Sequence, residues 1–284
     1  MPAVDATTLG VEWRADGARV VAVQRRTGVG DVRQVLGPPD AAAVAAACRV
    51  VVERCPQRPT AIALAARELP WSAAVDRARA VGDAAGLPCV PVGTGTSALL
   101  AHLARIDRGP PRNIALLSLG EALDVGVWVG GRPLHTDGRD PDVNHWPLDP
   151  AGERCGCGGR GCATTVLGPA ALARTAALAQ LPASAGQGGA DLAGRAEAGD
   201  PMARAVLQRM ADDALRFGRA LVAAYGITAL ALHWPTAAER GVVADLLRAA
   251  AARRLPAAIA VRVARLNVDG IAEGAGRWAM RRHR

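Results

Sequence analysis

Residues 142–164 read DVNHWPLDPAGERCGCGGRGCAT. Three cysteines, Cys155, Cys157 and Cys162, lie within eight positions, and His145 lies ten positions before the first of them. Three thiolates and one imidazole make a closed donor set for a tetrahedral zinc ion, and the interleaved glycines allow the tight backbone path that lets three nearby sulfurs converge. The stretch therefore predicts a structural zinc site.

Two other interpretations of these cysteines stay open at this point. They can be free thiols, or a redox trio, which would require a lowered thiol pKa and an attacking geometry. The other three cysteines, Cys48, Cys55 and Cys89, fall in predicted helices or strands, so we expect them to be small core residues. Six cysteines in 284 residues do not indicate a disulfide scaffold.

The composition is that of a globular protein with an aliphatic core. Half of the residues are hydrophobic and only 3% are aromatic, which disfavours a groove where nucleic-acid bases stack. The basic residues are all arginine, which excludes the Walker-A lysine, Schiff-base chemistry and the strand lysine of protein kinases. The net charge of +8 is interspersed with Asp, Glu and Ala, so a solvated surface is favoured over polyanion binding.

The sequence does not indicate a membrane protein. Its apolar runs are shorter than the about 20 residues that a membrane span needs. The first five residues lack the basic-then-apolar order of a signal peptide. We therefore expect a cytoplasmic protein with no membrane partner.

Hydrophobic periodicity predicts two copies of one βββαβαβα unit. The first copy has predicted strands at 8–14, 18–25, 31–36, 60–65 and 89–92 and helices at 40–54, 72–85 and 97–106. The second has predicted strands at 113–119, 123–129, 132–134, 229–232 and 258–262 and helices at 169–181, 201–225, 237–253 and from 269 onward. Asp40 and Ser97 are the predicted N-caps of the first and third helices.

This order predicts an α/β fold of two actin-like (RNase H-like) ATPase domains. A break at residues 107–111 places the boundary between domain 1–108 and domain 109–284. The zinc loop, 142–164, is an insertion in the second domain, and the last helix is expected to pack back on the first. A single doubly wound sheet is the alternative.

The zinc motif resembles that of the ROK family of repressors, open-reading-frame products and sugar kinases. The family signature, Glu-x-Gly-His and then Cys-x-Cys-Gly-x-x-Gly-Cys-Leu-Glu, falls on 142–145 and 155–164, with all four metal ligands intact. Residues 198–201 and 274–276 are similar to family segments nearer the C-terminus. The resemblance implies two actin-like domains, ATP-Mg and a sugar as ligands of active members, and Asp142 and His145 as sugar-binding residues. We also expect a homodimer.

The positions that would hold a nucleotide depart from the family pattern. The first phosphate loop, Asp-x-Gly-Gly-Thr, falls on 12–16, where only the carboxylate of Glu12 is kept in kind. The second falls on 120–124, where Glu121 and Asp124 bring negative charge to the place of a polyphosphate. The adenine-side Gly-Gly is replaced by His233-Trp234, and we expect the Trp234 ring to serve packing rather than base stacking.

The positions that would hold the sugar and its base are only half kept. The family Asn-Asp pair falls on Thr94-Gly95, and a glycine cannot accept a proton. The loop itself has no acid or histidine, and the nearest candidates are His102 and Asp107. Around the zinc motif, this chain differs from the family at three positions. Asp142 stands where the family has Glu, Asn144 where it has Gly, and Thr164 where it has Glu.

Three functions follow. The departures favour a catalytically inactive ROK-like protein that binds a sugar, another small ligand or a partner protein. The second is an ATP-dependent hexose or amino-sugar kinase, with ATP-Mg as cofactor and a base displaced to Asp142, His102 or Asp16. The third is a transcriptional regulator without its own winged helix. Its basic end, 277–284, is expected to be a solvated tail rather than a nucleic-acid contact.

Overall fold

The computed structural model describes residues 6–25, 28–67, 69–106, 109–119, 122–181, 188–234, 241–264 and 266–283. The chain forms two compact units. Unit 1 comprises Met1–Gly109, His135–Asp140 and Leu266–Arg284, and unit 2 comprises Pro110–Leu134 and Pro141–Arg265. Unit 1 therefore contains both the first strands of the chain and its last helix.

Unit 1 is built on a five-stranded mixed sheet. Its strands are β1 (Thr7–Arg14), β2 (Gly17–Gln24), β3 (Gly28–Leu36), β4 (Ile62–Ala66) and β5 (Cys89–Val92), in the spatial order β3-β2-β1-β4-β5. The first three strands pair antiparallel, whereas β1–β4 and β4–β5 pair parallel. Its helices are α1 (Ala41–Arg54), α2 (Trp71–Ala85), α3 (Thr94–Leu103) and α9 (Gly270–Arg282).

Unit 2 repeats this sheet. Its strands are β6 (Ile114–Leu119), β7 (Leu123–Val129), β8 (Arg132–Pro133), β9 (Ala229–His233) and β10 (Ala260–Val263), in the order β8-β7-β6-β9-β10. The pairs β6–β7 and β7–β8 are antiparallel, and β6–β9 and β9–β10 are parallel. Because both sheets share one strand order and one set of strand directions, the predicted duplication is confirmed and the single doubly wound sheet is excluded.

The helices of unit 2 include short elements that periodicity does not reveal. A 3₁₀ helix (Val143–His145) is followed by α4 (Ala163–Leu167), α5 (Pro169–Leu178), α6 (Gly188–Glu197), α7 (Pro201–Tyr225) and α8 (Val242–Arg254). Helices α4 and α6 were not predicted, since α4 has only 5 residues and α6 has a single large apolar residue, Leu192, so neither carries a clear periodic signal. The helix predicted at 237–253 begins at Val242, and residues 235–240 lie outside the described part of the chain.

The two faces of the unit 1 sheet pack differently. Side chains alternate along a strand, so Leu9 and Val11 of β1 enter an aliphatic core with α1 and α2. The opposite face carries α9, where the hydroxyl of Thr8 donates to the carbonyl of Gly276 at 2.7 Å. Gly10 lies on this face, directly below the carbonyl of Ala272. The absence of a side chain at Gly10 is what lets α9 approach the strand so closely.

Helix N-termini give one confirmed and one wrong prediction. The side chain of Asp40 caps α1 by accepting from the amide of Ala43 at 2.7 Å, as predicted. The prediction of Ser97 as a cap is wrong, because α3 begins three residues earlier, at Thr94, after Gly93 as N-cap. Gly93 has no side chain to offer, and the capping group comes from elsewhere in the chain.

No helix among the described residues is long and apolar enough to cross a membrane.

Candidate metal centre and ligand-binding positions

The four predicted metal ligands converge in unit 2. His145 ends the 3₁₀ helix and the three cysteines follow on a loop, yet one donor atom from each lies within 4.8 Å of the others. His145 Nδ1 is 3.3 Å from Cys155 Sγ, and Cys157 Sγ is 3.5 Å from Cys162 Sγ. A tetrahedral zinc ion with Zn–S bonds of about 2.3 Å separates its ligand atoms by about 3.5–3.8 Å. The donor set and its spacing therefore fit such an ion.

Glycines give this loop its shape. Gly158 and Gly161 have positive φ angles of 90° and 56°, which side chains other than glycine rarely adopt. The carbonyl of Gly161 accepts from the amides of Leu148 and Asp149 at 2.7 and 3.0 Å, and a Cβ at this glycine would overlap the backbone of Asp149. The predicted tight path is therefore present, and Gly161 also joins the end of the loop to its beginning at Leu148 and Asp149.

The backbone and burial act differently on two of the thiols. The amide of Gly159 donates to Cys157 Sγ at 3.4 Å and lowers the pKa of that thiol. Burial raises the pKa of Cys162 above that of an ordinary thiol. Because a metal binds the thiolate, an ion in this centre would displace a proton from Cys162.

Aromatic side chains anchor the metal loop on the core of unit 2. The ring of Trp146 stacks on Tyr225 of α7, with centroids 5.8 Å apart, and meets Phe217 edge to face at 6.5 Å. These are the only tyrosine and phenylalanine of the chain. The side-chain amide of Asn144 donates to the carbonyl of Leu123, the first residue of β7, at 2.8 Å. The loop is therefore held on both sides of His145.

The two predicted sugar-binding residues lie together at the metal centre. His145 Nδ1 faces the sulfurs, and its Nε2 lies 3.7 Å from the carboxylate of Asp142. The side chains are 37% and 64% exposed, respectively, so both reach solvent. A carboxylate that accepts a hydrogen bond from the second nitrogen of a metal-binding histidine orients the ring. Asp142 lies near this position, at a distance longer than a hydrogen bond. The pair presents hydrogen-bonding groups that a hydroxylated ligand can use.

Glu12, the carboxylate kept at the first phosphate-loop position, is engaged in a buried ion pair. It is 2% exposed, and its Oε1 accepts from Arg67 Nε at 2.8 Å. The loop that follows is a two-residue turn, Ala15-Asp16, between the paired residues Arg14 and Gly17. Arg14 Nε lies 3.2 Å from Asp16 Oδ1 and ties the turn to the strand. The carboxylate and the turn thus serve the structure of unit 1.

The Glu12–Arg67 pair leads to a stability prediction. In Arg67→Met protein, Glu12 would be left buried without its cation, and we expect the free energy of unfolding to fall by about 3–5 kcal/mol. The double variant Glu12→Gln/Arg67→Met removes both charges and should recover most of this loss. Urea unfolding of the single and double variants measures the difference, and equal losses in both would contradict a specific ion pair.

The remaining positions that fall on the family's nucleotide loops lie in unit 2. Gly120 and Glu121 fall outside the described residues. Asp124 lies in β7, pairs with Ser118 of β6 and is 6% exposed. Trp234 is 3% exposed and packs in the hydrophobic core, so its ring is not open for stacking on a base. His233 Nδ1 lies 3.2 Å from the carbonyl of Ala264.

Gly95, at the position of the family base, lies next to a carboxylate that sequence reasoning missed. Asp140 Oδ2 accepts from the amide of Gly95 at 2.8 Å, and Oδ1 accepts from the amide of Thr96 at 2.9 Å. The two residues are 45 positions apart. In the sequence, only the two glycines at 93 and 95 indicate that another segment of the chain can pack closely against this turn.

Two of the other candidate bases, His102 and Asp16, lie among the described residues of unit 1. His102 lies within α3 and is 7% exposed. Asp16 is exposed in the β1–β2 turn, whereas Asp107 lies outside the described residues.

The model of the ROK family matches residues 58–279. Among solved structures, a ROK hexokinase from Thermus thermophilus is 23% identical, with a TM-score of 0.83 over 98% of this chain and 100% of that chain. A ROK family glucokinase from Streptomyces griseus, solved with glucose and AMPPNP, is 20% identical, with a TM-score of 0.75 over 97% and 100%. A ROK family transcriptional regulator, a homologue of the E. coli MLC protein, is 18% identical, with a TM-score of 0.76 over 96% and 77%. No protein of curated function matches the chain.

Proposed function

This chain belongs to the ROK family, and from that premise we propose that it is a sugar-kinase-like protein that binds a sugar without transferring phosphate to it. The observation that carries the proposal is the buried ion pair of Glu12 with Arg67 at 2.8 Å. A carboxylate neutralised by a guanidinium is a poor partner for a metal–nucleotide complex, because its negative charge is already compensated.

The base position supports the same conclusion. Gly95 has no proton acceptor, and its amide already donates to Asp140. General bases contribute about 10²–10⁴ to a reaction rate, so the loss of this group alone would leave little activity. The first part of unit 1 that departs from a kinase is therefore the Gly95 position. The second is the closed two-residue turn after β1, and both lack the groups that phosphoryl transfer needs.

The sugar side supports ligand binding. Asp142 offers an acceptor to ligand hydroxyls, and the Nε2 nitrogen of His145, which carries the proton when Nδ1 binds a metal, offers a donor; both side chains are exposed. The metal we propose for the centre is zinc, because three thiolates and one imidazole leave no open coordination position. Its contribution is structural: it holds His145 and the loop in one orientation.

Purified protein should bind hexoses but show no turnover. We expect calorimetry with glucose and a panel of amino sugars to detect binding, and labelled ATP-Mg to give no sugar phosphate above a protein-free blank. A ligand that binds the folded state raises the melting temperature by mass action. Because we expect ATP-Mg not to bind, the melting temperature should stay unchanged at millimolar ATP-Mg. The Thermus thermophilus hexokinase is the positive control. Sugar-dependent turnover above the blank would refute the proposed inactivity.

One observation favours a second candidate, an ATP-dependent sugar kinase with a displaced base. The carboxylate of Asp140 lies 2.8 Å from the amide of Gly95, beside the position where a base is missing. Asp142, His102 and Asp16 are the other candidates for a displaced base. Should turnover appear, a loss of about 10² or more in Asp140→Asn protein would identify this carboxylate as the base.

A further inference from the structure

A short segment of the chain belongs to unit 1 although the stretches on either side of it belong to unit 2. The segment is His135–Asp140, which we call the strap. Its centre is a tight turn at Asp137 and Gly138, whose φ angles are both positive, at 49° and 92°, as in type I′ hairpin turns. Because both ends of the strap continue into unit 2, non-covalent contacts alone hold it on the rest of unit 1.

Contacts along its whole length hold the strap in place. At its end, the carboxylate of Asp140 caps α3. In its middle, the carbonyl of Gly138 accepts from the amide of Gly93 at 2.8 Å. At its start, the half-buried ring of His135 packs edge to face on Trp278 of α9, with centroids 4.7 Å apart. The strap is thus attached to α9 at one end and to α3 at the other.

One hydrogen bond inside the strap decides which form of the His135 ring fits. The amide of Gly138 donates to His135 Nδ1 at 3.2 Å. A ring nitrogen accepts a hydrogen bond only when it carries no proton, so this contact requires the neutral ring with its proton on Nε2. The protonated ring has an N–H group at both nitrogens, and its Nδ1–H would point at the N–H of Gly138. Protonation therefore turns an attraction inside the strap into a repulsion between two donors.

The charged groups that face this ring also disfavour its protonation. The guanidinium carbon of Arg282 lies over the indole ring of Trp278, 5.6 Å from its centroid. The indole therefore already has one cation on it, and a protonated His135 would bring a second positive charge to the same ring. Asp137 of the strap attracts the charged form, but burial of the ring and the charge of Arg282 outweigh it. Together they lower the pKa of His135 below the ordinary value of a histidine.

We propose that His135 makes the strap a pH-sensitive latch, which the neutral ring holds on unit 1 and the protonated ring releases. A group whose pKa is lower in the closed state than in the released state takes up a proton on release, so acid favours release. The latch is therefore closed above the ordinary histidine pKa of about 6.5 and opens increasingly as the pH falls below it. Because the strap carries Asp140, its release also uncaps α3 at Gly95, the position of the family base.

The test is amide hydrogen exchange of Gly93 and Gly138 in the full chain, followed by NMR and corrected for the intrinsic exchange rate at each pH. In wild-type protein the protection of both amides should fall at least about threefold between about pH 7.5 and about pH 5. In His135→Asn protein, Oδ1 takes the place of the accepting Nδ1 and does not titrate, so the protection should be the same at both pH values. His283→Asn, which removes an exposed histidine just after α9, is the matched control and should behave as wild type.

Each outcome decides the proposal. Wild-type protection that is the same at both pH values would overturn the latch, and so would a His135→Asn protein whose protection still falls in acid. Arg282→Gln carries the test if the asparagine variant does not fold. Without the facing cation, the pKa of His135 in an NMR titration should rise and the fall in protection should be smaller. A fall as large in Arg282→Gln as in wild-type protein would count against the latch. None of these results depends on whether the protein binds a sugar.

Discussion

Cys162→Ser protein is expected to be purified without zinc and to unfold at a lower temperature than wild type. Cys162 is 2% exposed and immediately precedes α4, whose first residue, Ala163, is completely buried. Loss of this ligand leaves Cys155, Cys157 and His145 as an incomplete tetrahedral set, so a metal ion would hold the loop less tightly. Zinc binding contributes about 10 kcal/mol or more to the folding of small zinc domains. Unit 2 has its own core, so we expect a smaller loss here, about 3 kcal/mol or more, and a melting temperature lower by about 10 °C.

The matched control is Cys55→Ser. Cys55 is a half-buried residue at the end of α1, outside the metal centre, so this variant should keep about one zinc ion per chain. Metal content by atomic spectrometry and melting curves with and without a chelator give both readouts. Zinc retained by Cys162→Ser protein would contradict the tetrahedral Cys₃His assignment, as would a wild-type melting curve that a chelator does not change.

Gly10→Ala is expected to destabilise unit 1 severely, although it adds a single methyl group. Its Cβ would lie 1.7 Å from the carbonyl oxygen of Ala272 and 2.5 Å from the amide of Gly276, both backbone atoms of α9. Backbone atoms cannot rotate away as a side chain can, so α9 would have to leave β1. Overpacking typically costs about 1–3 kcal/mol. We expect about 3 kcal/mol or more here, measured by urea unfolding.

The control for this prediction is Gly194→Ala in α6. Gly194 is exposed, and nothing lies within 4 Å of the Cβ that alanine would add. Alanine is favoured over glycine inside a helix by about 1 kcal/mol, so this variant should be slightly more stable than wild type. If Gly10→Ala protein is as stable as wild type, α9 does not pack on β1 at the distance that the structure has.

Much of the fold could be predicted because it is encoded in local patterns. The alternation of apolar residues predicted all ten strands of the described residues to within three residues at either end, for example β7 at Leu123–Val129. Asp40 was recognised as a cap because it contacts Ala43, three positions away. Ser97 was wrongly predicted as the cap of α3. The group that caps this helix is Asp140, which is too far away in the sequence to be predicted from the residues around Ser97.

The candidate site divides in the same way. The metal ligands could be identified because His145 and the three cysteines lie within 18 positions and their glycines carry the geometry. The Glu12–Arg67 pair, 55 positions apart, could not be identified, since either residue alone suggests only a charged surface. The sequence did show that Gly95 cannot be a base, but not that a carboxylate lies against its amide.

By itself, then, the sequence determined the four side chains that could hold a metal ion, the strands and most helices, and the glycine at the position of the family base. Each of these depends on residues whose separation is limited by a short length of chain. Only the tertiary structure decided that Glu12 is neutralised, that α9 lies against Gly10, and that Asp140 caps α3. These contacts join distant segments, and they form only when packing of the whole sheet and its helices offsets the entropy lost in bringing such segments together.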